Sequence, residues 1–219
     1  MVAGKVSSAR EEILGRIRAA IESAPAPPAV EARAYRRSGA LDREARVALF
    51  CERASEYSAT VMRCAPAEVA GRIGEICAER GMAHLLVSAL EDWNPQPVGF
   101  ELLPDADLSV SELDSGAGVM TSCAVAIAET GTVVLDGGPG QGRRALTLVP
   151  DVHLCVVHVE RIVELVPEAV ARLTRSAREG RALTFISGPS ATADIEFDRV
   201  EGVHGPRDLV LLVVDEAQP

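Results

Sequence analysis

Three polar, glycine-bearing segments of this chain hold the side chains best able to do chemistry, and each follows an apolar run. The first, AETGTVVL (residues 128–135), places Glu129 at or beside a hairpin tip, with Thr130 and then Gly131, a residue that accepts positive φ. A carboxylate there can serve as a nucleophile, a base or simply a turn residue. The second, DGGPGQGRR (residues 136–144), carries four glycines before Arg143 and Arg144. Glycines let backbone N–H groups approach an anion, and arginine clamps carboxylate or phosphate in bidentate fashion. The segment fits neither the Walker pattern nor the dinucleotide pattern, because it lacks the Gly-Lys-Ser/Thr ending and its spacing is Gly-x-Gly-x-Gly. The plain alternative is a surface turn with solvated arginines.

The third segment, SGPSATADIEFDRVEGVHGP (residues 187–206), is a loop of about 20 residues between two buried strands, longer than connection alone requires. Its start, Ser187-Gly188-Pro189-Ser190, offers hydroxyls and turn backbone. Asp194 and Glu196 share one side if that stretch is extended, and His204 precedes Gly205-Pro206. Asp, Glu and His can ligate a divalent ion, but this spacing is too loose to indicate a metal. A helix-capping role for Ser190 or Thr192 and a buried hydrogen bond at His204 are the ordinary alternatives. His84, His153 and His158 lie at or in strand-like runs and read as structural.

These segments need elements to position them. Ser8 and Glu11 form a capping box before the apolar stripe Ile13, Leu14, Ile17 and Ile21, which predicts an N-terminal helix. Ala24-Pro25-Ala26-Pro27-Pro28 ends it in a stiff linker. Beyond the linker a helix is predicted over 42–56, a strand over 60–63, and a helix opened by Pro66 and closed by Gly81. A strand over 84–88 precedes a loop holding Trp93, Pro95 and Pro97. Residues 124–128 and 132–135 predict a hairpin, 153–159 a strand, and 167–179 a helix. Two apolar strands, 183–186 and 209–214, frame the long loop. This alternation implies α/β architecture, with a mostly parallel sheet covered on both faces and made mixed by the hairpin. In such sheets, polar loops gather at the carboxyl edge. The domain boundary is drawn at residue 39, separating helix and linker (1–39) from the α/β domain (40–219).

Hydrophobic residues make up 47% of the 219 but aromatics only 3%, so the core must be aliphatic. A net charge of −10 leaves no basic footprint for nucleic acid. No apolar run approaches the ~20 residues needed to cross a bilayer, and the first residues lack a signal peptide's apolar core, which points to a cytoplasmic protein. Cys51, Cys64, Cys77, Cys123 and Cys155 stand apart without a Cys-x-x-Cys pair, arguing against bound zinc or an iron–sulfur cluster in this chain. Buried thiols are the expectation.

AVAIAETGTVVLDGGPGQGRRALTLVPDVHLCVV and LTFISGPSATADIEFDRVEGVHGPRDLVLLVV resemble the lactate-utilisation protein C family, LutC/YkgG, whose module is the LUD domain. The likeness covers residues 116–215. It implies a three-layer α/β/α sandwich of the kind shared by CoA transferases and ribose-5-phosphate isomerase. It also implies a role in oxidising L-lactate to pyruvate with two iron–sulfur partner proteins, which would carry the redox centres. Carried onto this chain, Glu129, Thr130 and Gly131 are expected beside Gly188, Pro189, Ser190 and Asp194, with Glu196, His204 and Gly205 nearby. The chain departs from the family at Val119-Met120-Thr121-Ser122, where a turn with two glycines is common; Thr121 still offers a hydroxyl.

Two functional classes follow. One is a subunit that binds a small carboxylate metabolite at the sheet edge, with Glu129 as the catalytic candidate. The other is a non-catalytic assembly factor for the iron–sulfur partners, using the tethered helix.

Overall fold

A computed structural model describes residues 9–23, 34–88, 99–105, 107–115, 118–192, 200–202 and 204–215. Ser8, the proline linker, Trp93, Asp194 and Glu196 lie outside the described residues. The chain divides into two compact units, Met1–Tyr35 and Arg36–Pro219. In the first, α1 (Ala9–Ser23) has no buried residue and leaves Ile13, Ile17 and Ile21 exposed.

The second unit begins with α2 (Arg43–Glu56), capped by Asp42, whose Oδ1 accepts from Ala45 N at 2.8 Å. Next come β1 (Thr60–Cys64), a 3₁₀ turn begun by Pro66, and α3 (Val69–Glu79), which ends ahead of Gly81 at φ +64°. There follow β2 (His84–Val87), β3 (Glu101–Pro104), the single turn α4 (Val110–Leu113) and β4 (Gly118–Ser122). Then β5 (Val125–Ile127) and β6 (Thr132–Leu135) form the expected antiparallel hairpin. The chain continues through β7 (Val152–His158), β8 (Ile162–Val163), α5 (Val166–Arg178), β9 (Thr184–Ile186), β10 (Ala191–Thr192), β11 (Val200–Glu201) and β12 (Asp208–Val214).

The strands form two main sheets. One is parallel throughout, in the order β1-β12-β7-β4-β2-β3; the other is mixed, in the order β8-β5-β6-β9. The α/β architecture with a parallel central sheet is therefore as the alternation implies. The hairpin, however, belongs to the second sheet, which lies against one face of the first.

Side-chain alternation explains the stacking. Ile73, Ile76 and Cys77 of α3 cluster with Leu154, Val156, Val210 and Leu212 on one face of the parallel sheet. Cys155, Val157, Leu211 and Val213 point the other way, onto Phe50 of α2 and Ala126 and Val133 of the mixed sheet. The outer face of the mixed sheet packs Val125, Ile127 and Val134 on Ala169 and Leu173 of α5. The stretch Val119–Ser122 is no turn. It lies in β4, a central strand with neighbours on both sides, so its backbone needs no left-handed glycine.

Candidate functional site

A cavity of about 150 Å³ opens over the amino-terminal ends of β7 and β12, floored by His153 and Leu209. One wall is β9 with Ser187–Ser190; the other is Arg144 and Thr147; His204–Pro206 form the lip. The site thus does not sit at the carboxyl edge of the parallel sheet. Its floor residues, His153 and Leu209, are each the second residue of their strands, so the cavity opens where β7 and β12 begin.

Local backbone dictates the wall. Gly188 sits at φ +94°, and a Cβ there would come 2.4 Å from Tyr57 O, just past α2. Only glycine combines that conformation with that approach. The chain then turns so that Ser190 N donates to Pro206 O at 2.8 Å, while Ser190 Oγ accepts from His204 N at 3.0 Å. Arg144 Nη2 donates to His204 O at 3.2 Å and closes the ring of contacts. Gly205 is buried, with Ser190 and Thr147 at ordinary contact distance from where a Cβ would stand.

His153, read from the sequence as structural, forms the floor. It is 1% exposed, and its Nε2 lies 2.8 Å from Thr121 Oγ1 on the neighbouring strand β4. Its Nδ1 is buried and, among the described residues, has no hydrogen-bond partner. Burial, reinforced by the nearby charge of Arg144, pushes its pKa down to about 4, so the ring is neutral at pH 7. A histidine inside the otherwise apolar run VHLCVV was the available signal, because a buried ring nitrogen must find a partner or leave one owing.

The two arginines have different fates. Arg143 forks onto Asp105, with Nε 2.7 Å from Oδ2 and Nη2 2.9 Å from Oδ1, and also donates to Leu108 O. It holds Asp105 below its ordinary pKa and lines an adjoining hollow rather than the cavity over His153. Arg144 lines both. Its Nη1 donates to Thr147 O and Oγ1 at 2.7 and 3.0 Å, and partial burial lowers its pKa. Among the described residues it has no carboxylate partner.

The glycine loop itself is knotted. Gln141 Nε2 and Gly138 N donate to Asp136 Oδ1, Ser176 Oγ donates to Oδ2, and Arg181 pairs with Oδ2 at 3.1 Å. Asp136 N in turn donates to Gln141 Oε1 at 2.6 Å. Asp136 titrates below its ordinary range: desolvation opposes the charged form, but these donors outweigh it. The loop's polar groups serve the loop, which sets the place of Arg144 just beyond it.

Glu129 and Thr130 line a separate surface hollow with Leu49, Arg53 and Tyr57. Glu129 accepts from Arg36 Nη2 at 2.5 Å, and Arg36 also reaches Glu164 at 3.6 Å. Gly131, at φ +59°, abuts α2 so closely that a Cβ would stand 2.4 Å from Ala54 N. A file of hydroxyls links the two places, since Thr132 Oγ1 lies 2.7 Å from both Thr130 Oγ1 and Ser187 Oγ. The structure therefore gathers Arg144, Gly188, Pro189, Ser190, His204 and Gly205 at one cavity, with Thr121 behind its floor. It leaves Glu129, Thr130, Gly131 and Arg143 outside. Among the described residues no group of three or more His, Cys, Asp or Glu is placed to hold a metal ion, and none of the five cysteines is disulfide-bonded.

Residues 111–214 match the model of the LUD domain. Lactate utilization protein C of Deinococcus radiodurans is 46% identical over 166 residues, 75% of this chain and 77% of that protein. The Bacillus pumilus protein of the same description is 43% identical over 94 residues, 41% of this chain and 39% of its own length. A crystal structure of a DUF162 family protein from Deinococcus radiodurans superposes with a TM-score of 0.69 at 40% identity, covering 80% of this chain and 99% of that one.

Proposed function

Because the chain belongs to the LUD-domain family, which includes lactate utilization protein C, we propose that it serves lactate utilisation by holding a small carboxylate over His153. The carboxylate would be lactate or a related 2-hydroxy or 2-oxo acid. The observation that carries this reading is Arg144, a guanidinium at the cavity rim with no carboxylate partner among the described residues. Among the described residues three of its five N–H donors are used, two on Thr147 and one on His204, which leaves two for a ligand. The size also suits: an engineered cavity of ~150 Å³ takes up benzene, which has as many heavy atoms as lactate.

In this reading the electrons of L-lactate pass to two iron–sulfur partner proteins, and this chain is the acid-binding subunit of the assembly. The scattered cysteines, lacking chelating spacing, support placing the redox centres on the partners. Calorimetry on the full chain tests the reading. L-lactate or pyruvate should bind, and Arg144→Ala should weaken that binding. No binding of either acid at millimolar concentration would overturn it.

A second reading rests on α1, where Ile13, Ile17 and Ile21 are 57%, 49% and 69% exposed along one stripe. Such a face suits a helix that docks on a partner, making the chain an assembly factor. Co-purification with the iron–sulfur proteins that survives loss of Arg144 and Ser190 but fails when the three isoleucines become serine would favour this second role.

A further inference from the structure

The hollow that adjoins the cavity over His153 is the larger of the two, about 390 Å³ against 150 Å³, and its wall is cationic. Arg143, Arg144 and Arg181 all line it, and among the described residues Asp136 is its one lining carboxylate. Asp105 and Glu179, which pair with Arg143 and Arg181, are not among the lining residues. Three guanidiniums around one space stand out in a chain of net charge −10, whose overall field repels anions. Two of them are ordered before anything binds, Arg143 by its fork onto Asp105 and Arg181 by Asp136 at 3.1 Å, which spares a ligand the cost of fixing them. Yet both remain open to solvent, their side chains 42% and 32% exposed, and Arg144 is exposed too. Among the described residues, the hydrogen bonds of Arg143 use Nε and Nη2 and leave Nη1 over, while Arg144 keeps two N–H groups.

We propose that this hollow binds the phosphate group of a small phosphomonoester, held chiefly by Arg144, with Arg143 and Arg181 completing the cationic wall. The site goes beyond the carboxylate reading: it shares Arg144 with the cavity over His153 but takes a different anion, and it does not require that lactate bind. Charge favours this class of ligand. A phosphomonoester carries about −1.5 to −2 near neutral pH, which matches the excess of two positive charges among the lining residues. A lone carboxylate would leave half of that excess unmatched. Geometry agrees, since planar guanidinium forks fit the oxygens of a phosphate. The volume, more than twice the ~150 Å³ that takes up benzene, leaves room for the organic part of a small ester.

The test is calorimetry of the full chain with inorganic phosphate at fixed ionic strength. Phosphate should bind wild type in the millimolar range or tighter. Arg144→Ala should weaken it about tenfold or more, and Arg143→Ala by a smaller factor, because Asp105 already offsets part of that charge. Asp105→Asn removes the opposing charge while keeping the shape of the side chain, so it should tighten phosphate binding roughly two- to fivefold. That gain keeps the test decisive where Arg143→Ala fails to fold. Arg72→Ala, which removes an exposed arginine of α3, should change nothing. Wild type that binds no phosphate overturns the proposal, whatever lactate does. So does binding that Arg72→Ala weakens as much as Arg144→Ala, or that Asp105→Asn fails to tighten. Phosphate binding as expected with no binding of lactate or pyruvate would overturn the carboxylate reading alone.

Discussion

Arg143 and Arg144 are adjacent in the chain but opposite in use: Arg143 is spent on Asp105 in a two-point fork, whereas Arg144 is held by carbonyls and a hydroxyl and keeps donors in reserve. A carboxylate buys down the first guanidinium's charge; the second waits for one.

Their replacements should accordingly separate. Arg143→Ala should lower the thermal midpoint, because it strands Asp105, whose side chain is only 7% exposed, and should leave lactate affinity nearly unchanged. Arg144→Ala should weaken binding by the worth of a charge-assisted hydrogen bond, roughly 1.5–3 kcal/mol, and should lower the midpoint less than Arg143→Ala, since the groups it releases on Thr147 and His204 are uncharged. Differential scanning fluorimetry beside calorimetry reads both. Equal effects of the two variants on binding would contradict the division.

Acid should find His153 early. Its folded pKa is about 4 against an ordinary value near 6.5, so between those values the unfolded chain binds the extra proton. Stability from this group is complete above about pH 6.5 and is lost as pH falls toward 4. The shift is worth about 3 kcal/mol across that window. Urea midpoints measured from pH 4 to 7 should slope upward in wild type, and the slope should flatten in His153→Phe. Buried carboxylates such as Asp136 contribute at lower pH, so the difference between the two proteins is the quantity to compare.

Two glycines should fail differently. Gly131→Ala forces a Cβ against the backbone of α2 and should cost roughly 3 kcal/mol or more from left-handed strain plus overpacking. Gly188→Ala meets Tyr57 O in the same way, but it also displaces Ser187–Ser190. The expected result is lost stability in both and lost ligand affinity, at equal fraction folded, only in Gly188→Ala.

Thiol chemistry should respect burial. Cys64, Cys77, Cys123 and Cys155 are buried, and burial raises the Cys77 thiol to about 11. Cys51 alone is partly exposed. Alkylation of the native protein followed by mass mapping should mark Cys51 first; prior modification of Cys123 would show that its surroundings open readily.

Much of the fold was legible because periodicity speaks directly of burial. The run after Asp42, the Pro66 and Gly81 punctuation, the hairpin around Thr130-Gly131 and the two C-terminal strands all fall within a residue or two of their expected places. What periodicity cannot carry is which sheet a strand joins. The hairpin belongs to the mixed sheet rather than the parallel one, and the candidate cavity lies at the amino edge rather than the carboxyl edge. Strand β4 was missed for a related reason: with Gly118 at its start, and with both faces buried, it shows no alternation. The site was half legible. Arg144, Ser190 and His204 stand out by type and loop position, whereas His153 draws its meaning from Thr121, 32 residues away on another strand. Asp194 and Glu196 lie outside the described residues.

The lip of the cavity is latched at position 204 through both halves of one residue's main chain, N–H to Ser190 and C=O to Arg144, while the imidazole itself is exposed. The latch is therefore indifferent to the identity of the side chain. In a saturation library at this position nearly every substitution should survive selection for binding, and proline, which has no N–H to give, should be the one that drops out.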